Sequence, residues 1–129
     1  MINRDRLVKK FCDIVQIDSP SGEEEDMAQD LIRRLDKLGF ETIRDEYGNL
    51  VANDGREDPI LLSAHMDTVE PGRGIRPKID GDTIISEGKT ILGGDCKAGV
   101  AAILEALESV IEDGAEYRPI QLAFTREEE

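Results

Sequence analysis

The sequence lacks the features that mark secreted, membrane-embedded or repetitive proteins. It has only two cysteines, Cys12 and Cys96, which are too few for a disulfide framework. Its start has no apolar signal region, and no apolar run approaches the length that crosses a membrane. It contains no internal repeat and no low-complexity segment. These absences lead us to expect a globular protein of the cytoplasm.

Positive charge is also scarce. The chain has 16 lysine and arginine residues against 29 aspartate and glutamate residues, and its formal net charge is −13. An acidic chain is a poor partner for nucleic acid or an anionic membrane, so we expect neither. The 129 residues suffice for one domain with a hydrophobic core. Excess carboxylate suits cation binding, although most of it is expected to lie on solvated helices.

Apolar periodicity predicts alternating helices and strands, and therefore an α/β fold with a mixed, largely parallel sheet flanked by helices. Ser21 and Glu24 fit a capping box at the start of the second helix, and Glu23 to Asp26 would form its charged first turn. The run Ile60 to Ala64 is apolar enough for a strand buried on both faces. In chain order the predicted elements are a helix after Asn3, a helix after Ser21, a hairpin around Gly48-Asn49, the Ile60 strand, a hairpin around Asp80-Gly81-Asp82, a long helix after Lys97 and a strand from Pro119 to Phe124.

Chemically useful side chains follow the ends of these elements. His65, the only histidine, and Asp67 come directly after the Ile60 strand, and Asp95 sits in a glycine-rich turn before the long helix. Three glutamates, Glu127 to Glu129, follow the last strand. Ligands of open α/β sheets bind at the carboxyl ends of strands. One imidazole with several carboxylates is a ligand set suited to zinc, cobalt or manganese.

Each of these residues also has a simpler interpretation. His65 could be packed in a loop beside a nearby acid, and Asp95 could cap the helix that follows it. The three glutamates could form a disordered acidic tail, and Lys97 could be an ordinary solvated lysine. The coincidence of these residues at matching topological positions favours a shared site, but the residues alone leave the alternatives open.

Several motifs now carry a resemblance to a known family. Three of them, in chain order, are His65-Met-Asp67-Thr-Val, Gly94-Asp95-Cys96-Lys97-Ala-Gly99 and Phe124-Thr-Arg-Glu-Glu128-Glu129. Together with Ser19-Pro-Ser-Gly-Glu23 and Gly48-Asn49-Leu50, they resemble the dinuclear-metal M20 peptidases. The segments Glu70-Pro-Gly-Arg-Gly-Ile-Arg-Pro and Thr90-Ile-Leu-Gly resemble the peptidase T and tripeptidase-like branch of that family.

The resemblance implies a role for each matching residue. His65 would ligate one metal, Asp67 would orient His65, and Asp95 would bridge two metals. Glu128 would be the general base and Glu129 would ligate the second metal. Glu127 would be a spectator, and the peptide bond after Asp95 would be cis. Cys96 departs from the residues expected at its position.

The resemblance also implies what the 129 residues do not contain. The family's site needs a further acidic ligand and a second histidine, and the family has a lid domain. We therefore expect residues 1–129 to be the amino-terminal part of a catalytic domain, with three of five ligands: His65, Asp95 and Glu129. The intact enzyme would use two divalent metals, zinc first, with cobalt or manganese as alternatives. This chain would hold at most one ion weakly.

The implied activity is hydrolysis of a peptide bond in small peptides by the full-length protein, with this chain alone inactive. An N-acyl amino acid deacylase of the same family, or a non-catalytic fragment that keeps the fold, are the alternatives. An open sheet edge beside the Pro119 strand is expected to favour self-association.

Overall fold

The computed structural model describes all 129 residues. It contains three helices and six strands, α1 (Arg4–Val15), α2 (Glu25–Lys37), β1 (Glu41–Arg44), β2 (Leu50–Asn53), β3 (Ile60–His65), β4 (Pro77–Asp80), β5 (Thr83–Ser86), α3 (Gly94–Glu112) and β6 (Ile120–Thr125). None of the three helices combines the length and apolarity needed to cross a bilayer.

The main sheet has four strands in the order β1-β2-β6-β3. The pairs β1–β2 and β2–β6 are antiparallel, whereas β3 and β6 are parallel. The predicted α/β class with a mixed sheet is confirmed, but parallel pairing is limited to β3 and β6. The short turn between β1 and β2 permits only antiparallel pairing. β4 and β5 form a separate hairpin, as predicted, whose turn places Gly81 at φ 62°.

The helices cover one face of the main sheet. Ile120, Leu122 and Phe124 of β6 are buried, while the residues between them are half-buried. The buried face belongs to a core of 20 residues to which all three helices contribute. The opposite face is open to solvent, as the 59% exposure of Leu61 shows. Phe124 therefore anchors the carboxyl end of β6 in the core, directly before the segment that carries Glu127 to Glu129.

Two predictions about strand burial are wrong. β3 is not buried on both faces, because it is an edge strand whose outer face lies next to solvent. β6 does not form an open edge, because it lies between β2 and β3. The unpaired edges of the sheet are therefore β1 and β3, and self-association through either remains a prediction.

The amino ends of α1 and α2 differ in whether a nearby side chain caps the helix. Asn3 caps α1, as predicted, by accepting a hydrogen bond from the Arg6 backbone N–H at 3.0 Å. The predicted capping box of Ser21 and Glu24 is absent, and α2 begins at Glu25 without a side-chain cap. Both side chains instead reach distant residues, Ser21 to Asp67 and Glu24 to Arg126. Tertiary partners thus replace the local cap.

Candidate functional site

The parallel pairing of β3 with β6 brings two polar segments to the same edge of the sheet. His65 pairs with Thr125 in register, and the chain continues from these residues into Met66-Asp67 and Arg126 to Glu129. The Met66 backbone N–H donates to Thr125 O at 2.8 Å, which extends the pairing past the end of β3. The start of α3 adds Asp95 from a third segment. We call His65, Asp67, Asp95, Glu128 and Glu129 the strand-end cluster.

His65 lies at the centre of this cluster and is only 7% exposed. Its Nδ1 lies 2.8 Å from the backbone carbonyl of Asp67, and its Nε2 lies 2.9 Å from Asp95 Oδ1. The same Nε2 lies 3.7 Å from Glu128 Oε2 and 3.9 Å from Glu129 Oε1. One ring nitrogen is thus held by the backbone while the other faces three carboxylates.

The charges around His65 shift its pKa. Burial lowers the pKa of His65, but the hydrogen bond with Asp95, the Asp67 carbonyl and the charges of Asp67 and Glu128 together raise it above its ordinary value. A raised pKa reports that a positive charge is favoured at this position. A bound cation would satisfy the same carboxylates without protonation of the imidazole.

The Asp67 carboxylate is fully buried and faces the segment after β6. It accepts hydrogen bonds from Ser21 Oγ at 2.6 Å, from the Glu128 N–H at 3.0 Å and from the Glu129 N–H at 3.1 Å. Burial raises the pKa of Asp67, but the hydrogen bonds from these donors lower it by more. The pKa of Asp67 is therefore below its ordinary value. Asp67 therefore contacts His65 mainly through its carbonyl, while its carboxylate holds the Glu128-Glu129 backbone.

The three glutamates are held by their backbone. The Glu127 N–H donates to Glu24 Oε2 at 2.8 Å. The next two N–H groups, of Glu128 and Glu129, donate to the Asp67 carboxylate. The interpretation as a disordered tail does not describe this arrangement. The Glu127 side chain bonds Tyr47 and Arg126, outside the cluster.

Asp95 does not act as a helix cap. Its carboxylate reaches His65, and its side chain is 83% exposed, so it remains open to a ligand. The Asp95–Cys96 peptide is cis, and both residues have non-helical dihedral angles at the start of α3. Cys96 Sγ lies over Gly99, where a Cβ atom would approach it at 2.9 Å. Gly99 therefore leaves room for the half-buried thiol.

Lys97 is not the solvated lysine of the simpler interpretation. It is fully buried, and its Nζ donates to the Ile17 carbonyl at 2.5 Å. Burial lowers the pKa of Lys97 to about 8, opposed by the charge of Asp18. Its buried ammonium ties α3 to the loop that precedes Ser19.

The donor set fits a divalent metal. Ligand atoms of His65, Asp95 and Cys96 lie within 4.8 Å of one another, and so do those of His65, Glu128 and Glu129. No lysine or arginine forms an ion pair with Asp67, Asp95, Glu128 or Glu129. Carboxylates without a protein cation, grouped around one imidazole, are the chemistry that binds zinc or similar ions.

Comparison with known proteins gives a consistent result. The model of the peptidase family M20/M25/M40 matches residues 61–129. The uncharacterised protein YqjE of Bacillus subtilis is 35% identical over 140 residues, which cover 100% of this chain and 38% of that protein.

Two solved structures share both fold and sequence with the chain. Aminopeptidase PepT from Bacillus cereus superimposes with a TM-score of 0.91 at 37% identity, covering 97% of this chain and 37% of that one. A tripeptidase from Staphylococcus aureus gives a TM-score of 0.91 at 38% identity, covering 98% and 37%. The chain thus spans under two fifths of the length of these relatives.

Proposed function

Because the chain belongs to the peptidase family M20/M25/M40, we propose that the full-length protein hydrolyses a peptide bond in small peptides, as an aminotripeptidase. The observation that carries the proposal is the strand-end cluster, in which Asp95, Glu128 and Glu129 surround one buried imidazole without any protein cation. The solved relatives named PepT and tripeptidase support a peptide substrate.

In the proposed site, His65, Asp95 and Glu129 would hold the divalent metals. Divalent cations, zinc first and cobalt or manganese as alternatives, would polarise the scissile carbonyl and favour deprotonation of the attacking water. The Asp67 carbonyl holds His65 Nδ1, so that Nε2 points into the site.

Glu128 is the proposed general base. Its carboxylate is exposed at the edge of the cluster, and its backbone N–H is held by buried Asp67. A base must lie within hydrogen-bond reach of the proton it removes. Glu128 would take a proton from the attacking water and then pass it to the leaving amine.

The proposal also covers the rest of the protein. By resemblance to the family, a further acidic ligand, a second histidine and a lid domain would lie in the part of the full-length protein outside residues 1–129. Residues 1–129 are then the amino-terminal part of the catalytic domain, and this chain alone lacks measurable peptidase activity.

A substrate panel tests the proposal. The 129-residue chain and the full-length protein are assayed against tripeptides and N-acyl amino acids, with added zinc or cobalt and with a chelator. We expect the full-length protein to hydrolyse tripeptides and the 129-residue chain not to do so. The chelator and the substitution Asp95→Asn should each abolish this hydrolysis. Turnover confined to N-acyl amino acids indicates a deacylase, and no turnover of either class indicates a non-catalytic protein.

A further inference from the structure

A second buried carboxylate, outside the proposed metal set, holds the segment that carries Glu128. Glu24 is 1% exposed although it directly precedes α2, and its side chain does not cap that helix. A charge buried in this way needs hydrogen-bonded partners. Glu24 Oε1 accepts from Arg126 Nε at 3.3 Å, and Oε2 accepts from the Glu127 N–H at 2.8 Å. Both oxygens are thus used by the two residues that follow β6.

Arg126 extends this contact to two other segments. Its Nη1 donates to the Tyr47 carbonyl at 2.8 Å, and its Nη2 donates to the Gly22 carbonyl at 3.2 Å. Its backbone N–H donates to Asn49 Oδ1 at 2.8 Å. Arg126 therefore ties the end of β6 to the β1–β2 turn and to the loop before α2, and Glu24 neutralises its charge.

The chain changes direction at Glu127. This residue has φ 50°, in the left-handed region that residues with a Cβ atom seldom adopt. After this turn, the N–H groups of Glu128 and Glu129 point at the Asp67 carboxylate. Three successive N–H groups thus end on two buried carboxylates, and the first of these bonds, to Glu24, fixes the residue at which the chain turns.

We propose that Glu24 is a positioning residue that sets the place of Glu128 and Glu129 through the backbone of Glu127. This inference rests on the proposed function, in which Glu128 is the base and Glu129 a metal ligand. The side chain of Glu24 bonds Arg126 and the Glu127 N–H and forms no hydrogen bond with His65 or Asp95. It acts through residues 126–127, whereas Asp67 acts on the next two residues and also contacts His65.

Amide hydrogen exchange tests the positioning role without any need for activity. The test uses the ¹⁵N-labelled chain, Glu24→Gln, and Glu24→Asp, which keeps the buried charge but withdraws the carboxylate by one methylene. The control is Glu23→Gln, whose exposed carboxylate pairs with Arg73 at the surface. We compare the amides of residues 127–129 with those of Leu122 and Phe124 in the core strand.

The expected result is a selective change. Either Glu24 variant should speed exchange at residues 127–129 by about tenfold or more, the scale of losing a hydrogen bond to a charged group. Exchange at Leu122 and Phe124 should change less, and Glu23→Gln should change neither group. Unchanged exchange at 127–129 in a folded variant, or an equal rise in both groups, overturns the inference.

The full-length protein provides a second readout. If tripeptide turnover is found, Glu24→Asp should lower kcat while KM stays near the parent value, since the base is displaced but substrate contacts are not. A rise in KM with unchanged kcat overturns the positioning role. Failure of the proposed function is recognised separately, because the full-length protein would then show no tripeptide turnover, or Glu128→Gln would leave that turnover intact. In either case the exchange result at 127–129 still decides the role of Glu24.

Discussion

The two halves of α3 each contribute a carboxylate to a group of polar side chains, and the two groups differ in what neutralises the negative charge. In the carboxyl-terminal half of α3, Glu105 is 1% exposed and accepts hydrogen bonds from Arg6 Nε, Lys10 Nζ and Ser109 Oγ, at 2.8, 2.8 and 2.9 Å. We call these four residues the α1–α3 seam. At its amino end, Asp95 belongs to the strand-end cluster, where carboxylates gather without a lysine or arginine.

The comparison separates two uses of buried negative charge. In the seam, Glu105 pairs with two cations supplied by α1, Arg6 and Lys10, so the charges serve to pack two helices together. In the strand-end cluster, the negative charge is met only by backbone N–H groups, the Ser21 hydroxyl and one imidazole. The metal site proposed above would supply this second cluster with a cation from outside the chain.

The largest expected effect breaks the seam. Glu105→Ala removes the buried carboxylate that Arg6 and Lys10 share and leaves them with the more exposed Glu108 as their common partner. We therefore expect a loss of about 3 kcal/mol, the lower end for removing one member of a buried ion pair. Urea unfolding measures this loss. The control is Glu112→Ala, which removes an exposed partner of Arg6 and should cost less than about 1 kcal/mol. Equal losses in the two variants would contradict the special role of Glu105.

The seam should also fail in acid. The hydrogen bonds from Arg6, more than those from Lys10, hold the pKa of Glu105 well below its ordinary range, although burial opposes them. At a pH between the folded and unfolded pKa values of Glu105, the unfolded state binds more protons than the folded state. The stability that Glu105 contributes is therefore fully present above its unfolded pKa and is lost as the pH falls toward its folded pKa. The loss should begin below about pH 4.5, the ordinary value of the group.

Urea midpoints measured from pH 7 down to pH 3 test this sign. Glu105→Gln should start from a lower midpoint at pH 7 and lose less of it on acidification than the parent. A variant that loses as much as the parent would assign the acid sensitivity to other carboxylates.

The helix ends and the two clusters also show what a sequence can predict. The Asn3 cap was predictable because its partner, the Arg6 N–H, lies three residues away. The same kind of local rule failed at Ser21 and Glu24, since Asp67 and Arg126 lie far along the chain and offer buried charged partners. The strand-end residues were found because β3 and β6 are parallel neighbours, whose carboxyl ends lie at the same edge of the sheet.

Burial was the part that local patterns did not predict. The apolar run in β3 indicated a fully enclosed strand, yet its exposure depends on which strands pair beside it. Lys97 is buried because the Ile17 carbonyl accepts its ammonium, and no residue near it in sequence reveals that contact. Both facts arise from long-range topology.

In the strand-end cluster, loss of a carboxylate should affect turnover and leave stability intact. Glu128→Gln in the full-length protein should lower tripeptide turnover by about 10²-fold or more, the scale of general acid–base catalysis. Its urea midpoint should stay near that of the parent, because no protein cation loses a partner. The control is Glu127→Gln, whose side chain lies outside the cluster. Turnover unaffected by Glu128→Gln would remove the assignment of the base.

An added cation should stabilise the strand-end cluster and leave the seam unchanged. For the 129-residue chain we expect one weakly bound ion, and zinc or cobalt at ten times its Kd should stabilise the fold by about 1.4 kcal/mol. Asp95→Asn should abolish this gain, and Glu112→Gln should retain it. Two tightly held ions per chain, found by elemental analysis after dialysis, would contradict the expectation of an incomplete ligand set.

The smallest expected effect concerns the neutral donors that take the place of cations in the strand-end cluster. Ser21 Oγ donates to Asp67 Oδ2 at 2.6 Å, and Asp67 is fully buried. Ser21→Ala removes one of three donors to this carboxylate, while the Glu128 and Glu129 N–H groups remain. Because these two donors remain, the loss should be about 1 kcal/mol, the typical net contribution of a hydrogen bond, and smaller than that of Glu105→Ala. Urea unfolding measures it against Ser63→Ala, an exposed hydroxyl that donates to the Ala123 carbonyl and should change stability by less than about 0.5 kcal/mol. If Ser21→Ala were as costly as Glu105→Ala, the loss of one neutral donor would match the loss of a carboxylate shared by two cations, and the distinction between the two halves of α3 would not hold.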